Sequence, residues 1–220
     1  MEQQKDYIVF GYGSLIWKPP PHVYKATPGY LKHYVRRFAQ SSSDHRGTPE
    51  HPGRVVTLIH AEEWANFDSQ DAFPHEDIVW GVAYTIDKEF KEEVREYLDH
   101  REKASLRNLP STRPNVKQDG YTVHTVDVYG VIDGQEKVVV EQATVYVGKA
   151  DNPSFVGSEP LDFLAKKIFE SVGPSGANKD YLKELSRAVK GLAPESYDSH
   201  LQELEMRVNQ LEAAAARGEK

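Results

Sequence analysis

The sequence predicts an α+β fold in a single domain, and three observations carry that reading. Short strand-like runs, interrupted by one amphipathic helix, fill residues 7–148, and three helical stripes follow from residue 160 onward. No stretch is rich enough in Gly or Ser to divide the 220 residues, and no internal repeat is visible. We therefore read 1–220 as one unit, with a flexible insertion at 103–119 and a C-terminal helical segment at 195–220.

Each element has its own warrant. Tyr7 to Phe10 is an apolar strand that breaks at Gly11 and Gly13, after which Ser14 to Trp17 can open a helix or tight turn. Lys18 to Pro21 is a proline-rich turn. Gly29 to Ala39 interleaves Tyr30, Leu31, Tyr34, Val35 and Phe38 with basic residues, and its aromatic and β-branched content leans to strand. The loop Ser41–Pro49 leads to Pro52-Gly53 and a strand from Arg54 to Ile59. Glu62 to Asp77 is polar and reads as a surface excursion. Ile78 to Ile86 has the length of a buried strand, with Gly81 as a candidate bulge.

Asp87 can cap the next helix, whose Phe90, Val94, Tyr97 and Leu98 form one apolar face. That helix runs to about His100 and delivers Arg101 and Glu102 at its end. Residues 103–119 are poor in apolar side chains and hold two prolines; so long a loop is uncommon inside a compact domain, so we read a mobile insertion or lid. Tyr121–Val131 and Lys137–Gly148 are strands joined by Asp133-Gly134, a tight-turn signal. Three helices close the chain. Pro160 opens the first, with Leu161, Leu164, Ile168 and Phe169 on one face; Tyr181, Leu182, Leu185 and Val189 mark the second. Leu201, Leu204, Val208 and Leu211 mark the third as core packing rather than a coiled-coil seam, and the alanine-rich tail is expected to fray.

Composition excludes whole classes of function. Hydrophobic residues are 39% and charged residues 28%, as in soluble globular proteins. A net charge of −7 argues against a nucleic-acid binder, and no apolar run reaches the roughly 18 residues of a membrane span. The polar stretch Met1 to Asp6 is not a secretory leader. The absence of cysteine removes disulfides, thiolate catalysis and cysteine-based metal sites, and fits a reducing compartment. We expect a cytoplasmic protein with neither nucleic acid nor membrane as partner; the oligomeric state is left open.

The chemistry-bearing stretch is Val9–Trp17. Glycines at 11 and 13 let a ligand approach the main chain, and the amides of Gly13, Ser14 and Leu15 can converge on one anion. The dinucleotide fingerprint fails because its third glycine would fall at Ile16, and Ser14 lacks the downstream glycine of a nucleophile elbow. Nine histidines form no His-x-x-x-His or His-Glu-x-x-His pattern, so we expect no metal. A triad of Ser14, His45 and Asp44 can be written on paper, as in any histidine-rich chain. Glu102, at the end of an amphipathic helix, can have a raised pKa and move protons near neutral pH; an ion pair with Arg101 or Lys103 is the plainer alternative.

Phe10-Gly11-Tyr12-Gly13-Ser14-Leu15-Ile16-Trp17 resembles the signature loop of the glutathione-specific γ-glutamylcyclotransferases, the ChaC-like family. Further blocks match in the same order: Ser43–Pro49 with Pro52–Leu58, Trp80–Tyr84, Tyr97–Lys103, and Val145–Gly148 with Asp151-Asn152-Pro153 and Gly173–Gly176. The resemblance implies a γ-glutamylcyclotransferase-like mixed β-barrel flanked by helices. It also implies cleavage of glutathione to 5-oxoproline and cysteinylglycine without metal or cofactor. It sets the catalytic glutamate on Glu102 and the substrate loop on Tyr12, Gly13, Ser14 and Leu15, with Tyr146 and then Arg54 as weaker substrate contacts. The chain departs from the family where residues 103–119 separate the Arg101-Glu102 pair from the strand that opens at Gly120-Tyr121-Thr122.

Under that reading the glutamyl α-amine attacks its own γ-carbonyl, and the enzyme mainly folds the substrate into a near-attack shape. The loop amides hold the glutamyl carboxylate, Glu102 shuttles the proton, and a loop amide can serve the oxyanion. Glutathione is net negative, so local cations must receive its glycyl end; Arg36, Arg37, Arg46 and Arg54 are the candidates. Action on other γ-glutamyl amides, or ligand binding without catalysis, remain the alternatives.

Overall fold

The computed structural model describes residues 6–67, 78–104, 121–149 and 151–218, with the backbone alone for 100–104. The expected insertion at 103–119 therefore lies, beyond the helix end, outside the described residues. Nine strands and five helices are present among them: β1 (Tyr7–Gly11), β2 (Val23–Lys32), β3 (Tyr34–Ser42), β4 (Gly53–His60), α1 (Ala61–Trp64), β5 (Ile78–Ile86), α2 (Lys91–Ala104), β6 (Tyr121–Ile132), β7 (Gln135–Gly148), α3 (Leu161–Glu170), β8 (Val172–Gly173), β9 (Gly176–Ala177), α4 (Asn178–Lys190) and α5 (Ser199–Ala216).

Five strands close a barrel in the order β1-β5-β2-β6-β7. Its pairings are antiparallel except for the seam, where β1 meets β7 in parallel at Val9 and Thr144. Closure removes the exposed edges an open sheet would leave. Phe10, Leu31, Val79, Ala83, Val128, Ala143 and Val145 fill one continuous core with Leu58 of β4. The β3–β4 hairpin carries Phe38 and Val56 into a second core, where α3, α4 and α5 deliver Leu164, Ile168, Leu182, Leu185, Leu201, Leu204 and Val208. Val94 and Leu98 of α2 pack on Tyr7, Val9, Ile86 and Tyr146 at the barrel wall. This is the predicted α+β, mixed-barrel architecture with flanking helices.

Local expectations are met at several points. Asp87 Oδ1 accepts from the Glu89 amide at 3.0 Å and starts the 3-10 turn Lys88–Phe90 that runs into α2. Asp133 (φ 54°) and Gly134 (φ 72°) are both left-handed, as a two-residue type I′ hairpin requires. The region 29–39 is strand, split by His33 at φ 66° into β2 and β3.

Three expectations are corrected. Gly81 is not a bulge: it pairs in register with Gly29, and a Cβ there would lie 2.4 Å from the Gly11 carbonyl oxygen and 2.6 Å from the Phe10 ring. The missing side chain lets β5 close on the end of β1. Tyr97 is 41% exposed and stands outside the cluster in which Phe90, Val94 and Leu98 pack on the barrel wall. The alanine-rich tail does not fray; α5 continues to Ala216, helped by alanine's helix propensity and by Glu212, which bonds Lys183 (2.5 Å) and Lys179 (3.1 Å) of α4.

Candidate functional site

β1 stops at Gly11, and the chain doubles back through a 3-10 turn, Ser14–Ile16. Every carbonyl in this bend is used. The Tyr12 oxygen accepts from Arg36 Nη1 at 2.7 Å, Gly13 from the Ile16 amide at 3.0 Å, and Ser14 from the Lys18 amide at 2.9 Å. Those of Leu15 and Ile16 accept from the Tyr84 hydroxyl at 2.8 and 3.2 Å. The amides of Gly13, Ser14 and Leu15 open the turn, where the helix itself supplies no acceptor.

Beside this loop lies a cavity of about 290 Å³, near the lower end of small-molecule sites. Phe10, Tyr12, Gly13, Ser14 and Leu15 contribute to its lining, as do Tyr121 and Tyr146 from the barrel. Val55, Val56 and Tyr181 add apolar surface, while Lys18, His45, Arg46 and Ser175 bring polar groups. Among the described lining residues Lys18 and Arg46 are basic and none is acidic.

The loops carrying His45 and Ser175 are locked together. A Cβ on Gly173 would fall 2.3 Å from the His45 oxygen and 2.4 Å from the Gly47 nitrogen, so main chains touch without side chains between them. The Ser175 amide donates to the His45 oxygen at 2.9 Å, and its hydroxyl lies 3.2 Å from His45 Nδ1. Asn178, fully buried, fixes the adjoining strand: its Oδ1 accepts from the Arg54 amide and its Nδ2 donates to the Arg54 oxygen, both at 2.7 Å.

Of the residues singled out from the sequence, Tyr12, Gly13, Ser14, Leu15 and Tyr146 come together at this cavity. The Tyr146 hydroxyl donates to Asp99 Oδ1 at 3.1 Å. Burial foremost, then the neighbouring Tyr7 and Asp99, raise its pKa far above the usual tyrosine value, so it stays a proton donor. Glu102 belongs to α2 three residues beyond Asp99, and its side chain lies outside the described residues. Arg54 is not at the cavity: its guanidinium forks onto Glu159, Nε to Oε2 at 2.7 Å and Nη2 to Oε1 at 2.8 Å. Arg36 is likewise internal, donating to Asp198 at 2.8–2.9 Å and to the Trp80 oxygen at 2.9 Å. Arg37 is buried beside the Trp64 ring. The paper triad does not assemble, because His45 Nδ1 faces Ser175 and its Nε2 stands 3.8 Å from Asp44. Among the described residues, no three His, Asp or Glu side chains group as a metal site.

Sequence reasoning missed Tyr84 and Asp198 as supports of the loop. Burial pushes the Tyr84 hydroxyl up to about 12, keeping it a donor to the bend. Asp198 caps α5 by accepting from the Leu201 amide at 3.0 Å while it holds Arg36 against the Tyr12 carbonyl. Only the Asp-before-helix signal for the cap was available in one dimension.

A closed mixed barrel whose first strand ends in a glycine bend beside a cavity lined by Lys18 and Arg46 defines a class, and the comparisons identify it. The ChaC-like protein family model matches residues 7–211, and the chain belongs to that family. A glutathione-specific γ-glutamylcyclotransferase of Schizosaccharomyces pombe is 44% identical over 200 residues, covering 91% of both chains. One of Saccharomyces cerevisiae is 38% identical, covering 82% of this chain and 84% of its own. A solved yeast γ-glutamyl cyclotransferase specific to glutathione superposes with a TM-score of 0.75 at 35% identity, covering 93% of this chain and 96% of that one. Among the described residues no helix is long and apolar enough to cross a membrane.

Proposed function

We propose that this protein cleaves glutathione into 5-oxoproline and cysteinylglycine. The observation that carries the reading is the cavity beside the Tyr12–Leu15 bend, in a chain with glutathione-specific relatives over most of its length. The amides of Gly13, Ser14 and Leu15 receive the glutamyl carboxylate, and the neutral Tyr146 hydroxyl donates toward substrate or toward the acid at α2.

The glutamyl α-amine attacks the γ-carbonyl carbon, a five-membered ring closes, and the carbon–nitrogen bond to cysteine breaks. Glu102 takes the proton that the amine must shed and returns it to the departing cysteinyl nitrogen, so no water is consumed. Helical spacing sets Glu102 one turn past Leu98 and Asp99, the residues through which α2 meets the barrel and Tyr146. Because nucleophile and electrophile already share one molecule, the protein's main contribution is to fold that molecule into a near-attack shape.

The test is turnover by purified protein on glutathione and on γ-glutamyl dipeptides, read as 5-oxoproline. Release from glutathione in clear preference is expected. Equal turnover of the dipeptides would assign a broader γ-glutamyl amide activity, and binding without release would make the protein a ligand binder.

A further inference from the structure

Resting on that reading, we infer that Arg46 is the subsite for the free C-terminal carboxylate of the departing dipeptide, which restricts the cavity to γ-glutamyl peptides that end in a carboxylate. The four arginines of β3, β4 and the loop between them are all buried, with Arg46 only 8% exposed. Arg36 and Arg54 are matched by Asp198 and Glu159. Among the described residues Arg46 has no carboxylate partner. Among the described residues its side chain makes one hydrogen bond, Nη1 to the Ala177 oxygen at 3.0 Å, and its guanidinium lies 5.4 Å from the Tyr181 ring centroid. Nε and Nη2 have no acceptor among the described residues.

A mostly buried guanidinium normally pairs with an anion, and its planar fork matches a carboxylate. Arg46 meets that need where it lines the cavity. The Tyr181 ring sets the span: Arg46 stands over the ring, while the Tyr181 hydroxyl would be 3.5 Å from a Cβ on Gly13. The cation is thus about one tyrosine away from the bend that takes the glutamyl carboxylate. A substrate with two carboxylates can bridge the two, presenting its γ-amide between them. The interlocked Gly47 and Gly173 backbones hold the arginine's loop rigid. Lys18, at the same cavity, adds positive potential.

The test compares glutathione with its glycinamide analogue, in which the terminal carboxylate is a neutral carboxamide, by kcat/KM for 5-oxoproline release. Wild-type protein should prefer glutathione by about 10- to 100-fold. Arg46→Met, which keeps an unbranched side chain and removes the charge, should lose that preference by a fall on glutathione alone; Arg46→Lys should keep part of it. A wild type that turns over both substrates equally overturns the inference while the cyclotransferase reading stands. So does an Arg46→Met protein slowed by the same factor on both. Should Arg46→Met fail to unfold cooperatively, the wild-type comparison and Arg46→Lys decide. Release from neither substrate overturns the reading; calorimetric affinities equal for glutathione and its amide would then overturn the inference as well.

Discussion

Glu102 is where the proposed chemistry concentrates. Replacing it with Gln keeps size and removes the proton shuttle, so kcat on glutathione should fall by about 10²- to 10⁴-fold while calorimetric affinity for glutathione changes little. A Glu102→Gln protein as fast as wild type would remove the residue from the mechanism. Two buried hydroxyls, on the loop and at the cavity, support the proposal through their protonation states. Tyr84 and Tyr146 are desolvated enough to remain donors across the physiological range, so the geometry they enforce does not vary with pH. At this scale the sequence was informative about the bend, because glycine spacing after an apolar strand is local. It could not sort the arginines. Arg36, Arg46 and Arg54 are alike in one dimension, and only their three-dimensional partners, Asp198, the Ala177 carbonyl and Glu159, separate scaffold from cavity.

Elements position this bend through two contacts. The first is the close approach of β5 to the end of β1 at Gly81. Gly81→Ala would drive a methyl into the Gly11 oxygen, and overpacking of this kind costs about 1–3 kcal/mol. Urea denaturation should show that loss, and kcat/KM should drop because Gly11 leads into the bend; an unchanged midpoint would mean that β1 can shift freely. The second is the α5 cap, where Asp198 joins the helix to Arg36. Burial disfavours the Asp198 carboxylate, but Arg36, His200 and the Leu201 amide together outweigh it and hold its pKa below the ordinary value. Folding therefore releases the Asp198 proton more readily than the unfolded chain does. Its stabilisation is full above the unfolded value near pH 4 and fades as pH falls through the lower folded value. Urea midpoints of wild type should decline through that acid window, and Asp198→Asn should lie lower at neutral pH with a flatter acid limb. Parallel curves would show that another group carries the acid sensitivity.

Across the whole molecule, charge and topology pull apart. A chain at −7 gives no long-range attraction to an anionic tripeptide, so capture depends on the basic groups gathered at one cavity. The barrel and helical layer place those groups using residues on either side of the 103–119 segment. We propose that this segment is dispensable for folding. Deleting 104–117 should leave a single cooperative unfolding transition; loss of cooperativity would make it part of the scaffold.

By itself, the sequence determined the strand-then-helix order, the capping Asp87, the Asp133-Gly134 turn and the Tyr12–Leu15 bend. All depend on the preferences of adjacent residues or on helical and strand periodicity. Tertiary structure alone decided that β1 and β7 meet in parallel to close the barrel, that Gly81 is a contact rather than a bulge, and that Asp198 reaches Arg36 across 162 positions. It also decided that Arg46 is the buried arginine left facing the cavity without a carboxylate among the described residues. Such pairings depend on which surfaces the closed barrel brings together, and a linear chain carries no local signal for them.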